Sequence, residues 1–567
     1  MLHYQIEFDD YQQHLIHVTL RFVANPTQEL WLPTWIPGSY LIREFAKHIE
    51  SVKAYDEAGR QLKISKFEKN KWRLFNTDHE LITVEYDVYA YDLSVRGSYV
   101  DQTRFYVNPA CVCLALKDQE EAECELEVFL PDEFKHFTVA TGLTSKSLVK
   151  GRYTLKADNY MQLIDSPFEL ADQTRFSFEA EGIQHEFVIS GKHATNVERL
   201  QADIQKICQT EIQIFGSAPF KNYVFMTMAT GNSYGGLEHP NSTSLITSRD
   251  DLPKANEPEE PSEDYQRFLG LCSHEYFHSW LVKYIRPENF VNYDLHKESY
   301  TSLLWIFEGF TSYYDDLILL RSGVISQASY LKLLKAQIDR YLQNPGREVQ
   351  SVAESSFDTW IKFYRPDENS NNAGTSYYNK GCLVALCLDL GLRLRGSSLD
   401  ALVRKLYENA QKGIQVTERT IFELCEELTG HSWLEQINHL IYTTDELPLD
   451  QLFPEFGIEY QLKNDKTQPF GLKLAEKPEG VLIQQARREG AGAKAGLSAN
   501  DVIVAIDGLK ASEKLLAQYA KQQGECVVHA FRRDELLQFT VKAAEIGLAT
   551  VDLKVVDQSK AENWLKA

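Results

Sequence analysis

Apolar and polar residues alternate with a period of two through much of the first third of the chain. Ile16, Val18, Leu20 and Phe22 alternate with His17, Thr19 and Arg21, and Ile82, Val84, Tyr86 and Val88 repeat the pattern. Such alternation predicts strands with one buried face. Residues 1–175 therefore read as an N-terminal antiparallel β domain. It is interrupted at Trp31-Leu32-Pro33-Thr34-Trp35-Ile36-Pro37-Gly38, whose prolines and glycine predict a loop.

Beyond residue 175 the period changes. A helix near Val197–Ile212 is mixed with strands, and the Asp-, Glu- and Pro-rich residues 249–263 predict a solvated loop. Ser262 and Asp264 are N-cap signals for a helix over about 265–283, where Phe268, Leu269, Cys272, Tyr276 and Trp280 recur at three- and four-residue steps. Pro287 ends it. A second helix is predicted over about 302–321. From about 327 to 445 the pattern is mostly helical, with loops at 344–347 and, rich in Asn, at 367–374. Short strands return from about 458 to 545. The fold class is multidomain α+β: a β domain at 1–175, a mixed and helical domain at 176–450 (mixed over 176–326, helical over 327–450), a small strand-rich domain at 455–550 and a tail at 551–567.

Composition narrows the classes. At about 150 residues per domain, 567 residues suggest three or four domains. A formal charge of -22 disfavours nucleic acid and anionic membrane as partners and favours cations, including metal ions and peptide amino termini. Nine cysteines occur without a CxxC pair, so a cysteine zinc site is not expected. The start of the chain has no basic-then-apolar leader pattern, and no apolar run approaches the roughly 18 residues of a membrane span. These features predict a cytoplasmic protein.

The chemistry concentrates at His274-Glu275-Tyr276-Phe277-His278. Residues four apart share one helix face, so His274 and His278 can reach one metal ion. Glu275, rotated about 100 degrees away, sits where a general base for a metal-activated water belongs. A third ligand is expected downstream. Glu308, inside Trp305-Ile306-Phe307-Glu308-Gly309-Phe310, is a carboxylate in an apolar segment and needs a cationic partner. Two His and one Glu leave the fourth position of a single Zn²⁺ open, as a catalytic site requires.

With these residues in hand, the chain resembles the PDZ-containing glycyl aminopeptidases, which are thermolysin-like zinc peptidases with a Glu ligand. His274–Trp280 with Ile285-Arg286-Pro287 resembles the zinc helix, and Glu308-Gly309-Phe310 with Tyr313-Tyr314 the second zinc segment. Leu32–Tyr40 resembles the amino-terminal signature. Leu281 and Tyr284 depart from the Asn and Arg of many members. Gly235-Gly236-Leu237-Glu238-His239 resembles the G-x-M-E-N segment of related aminopeptidases, with Leu237 and His239 in place of Met and Asn. The resemblance implies that Gly235 and Gly236 lie beside the substrate backbone and that Glu238 binds its free amine. Paired glycines and a carboxylate suit those tasks. Tyr378, in Ser376-Tyr377-Tyr378-Asn379-Lys380-Gly381, resembles the tyrosine that donates to the oxyanion; Tyr377 is its rival.

Ala495–Gly508 resembles the central signature of a PDZ domain, with Asn500 where Gly is usual, and Phe470-Gly471-Leu472 resembles the loop that cradles a peptide carboxylate. Two readings stand for this module: capture of a peptide C-terminus, or packing on the catalytic domain. The whole implies a zinc aminopeptidase acting on peptides with a free N-terminus, preferring Gly or Ala there. The rivals are a thermolysin-like endopeptidase and a non-catalytic PDZ adaptor.

Overall fold

The structure, a computed structural model, describes residues 1–75 and 80–566. The chain divides into two compact units. One comprises Met1–Tyr300, Tyr314–Ser326 and Val403–Thr417, the other Thr301–Tyr313, Gln327–Leu402 and Glu418–Ala567. Among the described residues no helix is long and apolar enough to cross a membrane.

In the first unit the alternating segments build an eight-stranded sheet. Its order is Thr144–Val149, Arg152–Ala157, Cys124–Phe129, Leu2–Glu7, Leu15–Val23, Leu81–Tyr89, Ile49–Tyr55 and Gln61–Leu62. All neighbours are antiparallel except Leu2–Glu7 beside Cys124–Phe129. Val18 lies opposite Tyr86 and Leu20 opposite Val84, so the two alternating sets bury one shared face. Two four-stranded sheets complete this region.

A five-stranded sheet follows, in the order Thr174–Ala180, Ile183–Ser190, Asn222–Thr230, Ser242–Ser248 and Gly235–Glu238. Its three central strands are parallel. The first parallel pair therefore needs a crossover, which the helix Val197–Phe215 supplies. Gly235–Glu238 is an antiparallel edge strand.

The helix that carries the histidines spans Glu263–Phe277 and stops six residues short of the sequence expectation. His278 is its C-cap, and residues 278–285 coil into tight turns, with Lys283 N donating to His278 O and Val282 N to Ile285 O. The apolar period ran on because Trp280 is core without being helical. Its ring stacks on Phe215 at 4.7 Å. The expected helix over 302–321 is likewise broken, into Leu304–Phe307 and Gly309–Arg321. Thr311 Oγ1 donates to Phe307 O at 2.6 Å, a back-bond that bends helices. A Cβ on Gly309 would overlap the backbone of Gly381.

In the second unit the helix Gln327–Gln343 lies along a long two-stranded ribbon, Ile458–Pro469 with Glu545–Val555. Val551 N donates to Asp339 Oδ1 at 2.8 Å. The final helix, Gln558–Leu565, buries Trp564, whose Nε1 donates to Tyr313 Oη at 2.8 Å. A second sheet, ordered Leu472–Lys477, Gly480–Ala486, Val502–Ile506, Glu525–Arg532 and Glu535–Lys542, closes over Phe470, Leu472, Val481, Ile483, Ile503 and Val528 with the helix Glu513–Ala520.

Candidate metal centre and peptide site

The histidine helix buries most of its length, and its last turn presents His274 and His278 together. Their Nε2 atoms lie 3.1 Å apart. His278 Nδ1 is 2.9 Å from Leu281 O, which can only accept, so hydrogen bonding assigns its proton to Nδ1 and leaves Nε2 as a bare lone pair. The turn that offers this carbonyl is strained: Val282, β-branched, sits at φ +93°. His274 Nδ1 is 3.0 Å from Asp315 Oδ2. Burial pushes the Asp315 carboxyl above the ordinary carboxylate value, and the His274 hydrogen bond opposes it. The two Nε2 atoms thus face each other with their Nδ1 atoms already engaged, an arrangement that suits a shared cation. His274, His278 and Glu308 each offer a ligand atom, and these atoms lie within 4.8 Å of one another. The donor set, two imidazoles and a carboxylate, fits a divalent metal such as zinc. Glu308 itself is buried at the helix break between Phe307 and Gly309.

Glu275 is 5% exposed. Its carboxylate lies against the edge strand, where a Cβ on Gly236 would overlap it. In the same strand Glu238 is 4% exposed, and its Oε1 has no hydrogen-bond partner among the described residues. A Cβ on Gly38, at φ +90°, would overlap that carboxylate, so the loop over Leu32–Tyr40 packs directly on Glu238. Among the described residues the strand pairs on one side only, with Glu238 opposite Thr243 and Gly236 opposite Leu245. Its other edge offers backbone groups to an extended peptide.

Behind the strand lies a buried ion network. His239 Nδ1 is 2.8 Å from Asp165 Oδ1, and Lys283 Nζ is 2.9 and 3.0 Å from the two Asp165 oxygens. Burial lowers the His239 imidazole, against the hydrogen bond and charge of Asp165.

The two tyrosines differ. Tyr377 is fully buried, shares a 2.8 Å hydrogen bond with Thr359 Oγ1, and is pushed well up by burial. Tyr378 is half-buried and stacks on Phe363 at 5.3 Å, at the N-terminus of the helix Asn379–Arg393. Lys380 is buried with its ammonium lowered to about 8 by burial, and donates to Thr443 O at 3.2 Å.

In the C-terminal module Phe470 and Gly471 both hold left-handed backbone, at φ +55° and +72°. Their amides are already engaged: Phe470 N donates to Ala544 O at 2.8 Å and Gly471 N to Gln468 O at 3.1 Å. Leu472 is buried in the module core.

Sequence reasoning missed Asp315, Asp165 and Lys283. Asp315 follows Glu308 by seven residues, two helical turns, a spacing that could have suggested it. Asp165 and Lys283 are 118 residues apart, and no local pattern joins them.

Residues 3–172 match the Peptidase M61 N-terminal domain, and residues 267–384 match M61 glycyl aminopeptidase. The crystal structure of an aminopeptidase N family protein from Idiomarina loihiensis is 40% identical, covers 100% of both chains and superposes with a TM-score of 0.95. An M1 zinc metallopeptidase from Deinococcus radiodurans is 12% identical, covering 79% of this chain and 94% of its own, with a TM-score of 0.49. Yeast LTA4 hydrolase in complex with bestatin is 13% identical over 80% of this chain and 69% of its own, with a TM-score of 0.46. No curated protein matches the chain.

Proposed function

The chain belongs to the M61 peptidase family, and on that premise we propose that it is a zinc-dependent aminopeptidase that removes an N-terminal residue, preferring Gly or Ala. The observation that carries the metal reading is the pair of His274 and His278 Nε2 atoms 3.1 Å apart, with the Nδ1 atoms held by Asp315 and the Leu281 carbonyl. His274, His278 and Glu308 would hold one Zn²⁺. When bound, the ion supplies Lewis-acid polarisation of the scissile carbonyl and of water.

The chain's own residues do the rest. Glu275 removes a proton from the attacking water at its carboxylate and returns it to the departing amine nitrogen. The Tyr378 hydroxyl donates to the carbonyl oxygen as negative charge develops there. Its half-exposed position supports it over Tyr377, whose hydroxyl is engaged with Thr359. The edge strand at Gly235 and Gly236 carries the substrate backbone by strand addition. Glu238, buried and lacking a partner on Oε1, accepts the substrate ammonium. That unmet charge supports an exopeptidase over an endopeptidase.

The C-terminal module supports a PDZ-like reading by its sheet and the helix Glu513–Ala520. The engaged amides of Phe470 and Gly471 favour packing at that loop over carboxylate capture. Nine buried cysteines, none in a disulfide, support a reducing compartment such as the cytoplasm.

The test is a panel of aminoacyl chromogenic substrates, free and N-acetylated, with and without a chelator. Gly and Ala substrates with a free amine should turn over and lose turnover with the chelator. Equal cleavage of acetylated substrates would overturn the aminopeptidase reading.

A further inference from the structure

The C-terminal module meets the helical layer of its own unit around a cavity of about 460 Å³. Its wall is held in place by hydrogen bonds. Asn371 Nδ2 donates to Gln485 Oε1 at 2.7 Å, Asn372 Nδ2 to Ala486 O at 3.0 Å, and Asn344 Nδ2 to Gly374 O at 3.0 Å. Three cations face this cavity: Arg340 from the helix Gln327–Gln343, and Lys473 and Arg487 from the module. None of the three has a carboxylate partner among the described residues, in a chain with 81 acidic side chains to 59 basic ones. Arg487 is half-buried and anchored by a hydrogen bond from its guanidinium to Gln343 O. Glu368 is the single acid in the wall, which leaves the cavity positively charged. Ser376 and Asn379, which bracket Tyr377 and Tyr378, also line it.

We propose that this cavity binds the C-terminal carboxylate and last amides of the peptide substrate, so that the module selects substrates by length and free C-terminus. The chemistry matches on both counts. Guanidinium and ammonium groups bind a carboxylate with charge-assisted hydrogen bonds, and Gln468 Oε1, buried in the wall with no partner among the described residues, can accept a peptide N–H. The site differs from the Phe470–Leu472 loop, whose Phe470 and Gly471 amides are spent within the module. The proposal rests on the aminopeptidase reading for its substrate.

The test compares Gly-p-nitroanilide with glycyl peptides of increasing length, each made as free acid and as C-terminal amide, on the full zinc-loaded chain. Beyond one length the free acid should show a KM about tenfold below that of the amide, with kcat unchanged, as expected for one charge-assisted contact. Arg487→Gln should abolish the difference, and so should Arg340→Gln with Lys473→Gln, whose exposed side chains are not needed for folding. Gly-p-nitroanilide turnover should stay unchanged in all variants. Equal KM for acid and amide at every length, or a difference that survives both variants, overturns the proposal. Failure to cleave Gly-p-nitroanilide would instead strike the aminopeptidase reading. Calorimetry with an N-acetylated peptide acid and its amide then still decides the cavity: preferential binding of the acid, lost in the variants, supports it, and equal or absent binding overturns it. Displacement of the acid by inorganic phosphate with no acid-over-amide preference would mark a site for small free anions and also overturn it.

Discussion

The Glu275 carboxylate rests against the backbone of Gly236, in the space where any larger residue would place its Cβ. The proposed general base and the strand proposed to bear the substrate are therefore fitted to each other. Gly236→Ala should push the carboxylate aside without breaking the fold, because the displaced atoms are the far end of a flexible side chain. We expect kcat to fall about 100-fold, within the range a positioned base contributes, while zinc content by metal analysis stays at one equivalent. Loss of zinc together with activity would mean that the strand shapes the metal site rather than the base.

In the proposed zinc site Asp315 would act on the metal through His274, whose Nδ1 lies 3.0 Å from its Oδ2. Asp315→Asn retains a hydrogen-bonding group but can no longer supply a charge to Nδ1–H. Zinc affinity, measured by competition with a chelator, should drop roughly 10- to 100-fold, as for other partners of ligating histidines. Unchanged affinity would assign Asp315 a purely structural role.

Much of the candidate site was legible because its residues lie close together in the sequence. The spacing of His274, Glu275 and His278 encodes one helix face, and Gly235, Gly236 and Glu238 share one short strand. What escaped was tertiary. In the sequence the histidine helix reads on to residue 283 because Trp280 keeps the apolar period while packing on Phe215 from a turn. That turn carries the Leu281 carbonyl to His278 Nδ1, with Val282 in strained backbone beside it. The fit of Gly38 against Glu238 joins residues 200 apart in the chain, and no period records such a contact. In the N-terminal sheet the alternating strands were readable. Their order was not, since Leu2–Glu7 pairs with Cys124–Phe129, far downstream.

The adjacent tyrosines should separate cleanly. Tyr378→Phe removes the proposed donor to the developing oxyanion and should lower kcat about 10²- to 10³-fold with little change in melting temperature. Tyr377→Phe breaks the buried bond to Thr359 and should reduce stability by about 1 kcal/mol with kcat largely retained. The opposite pattern would transfer the oxyanion role to Tyr377.

The network of Asp165, Lys283 and His239 ties the turn after His278 to the residue after Glu238, so its integrity should register in both stability and substrate affinity. Burial alone would raise the Asp165 carboxyl. The Lys283 charge and the hydrogen bonds from His239 and Lys283 outweigh it and hold the group below the usual carboxylate value. A carboxyl lowered on folding adds stability that is present above its unfolded value near pH 4 and is lost as pH falls through the folded one. Asp165→Asn leaves Lys283 buried without a counter-charge, which should cost about 3 kcal/mol at pH 7. The melting-temperature gap between wild type and variant should hold from pH 6 to 8 and narrow below about pH 4. KM for glycyl substrates should rise in the variant, because His239 no longer fixes the end of the strand that bears Glu238. A gap that stays constant into acid would show that packing of Asp165, and not its charge, holds the two segments together.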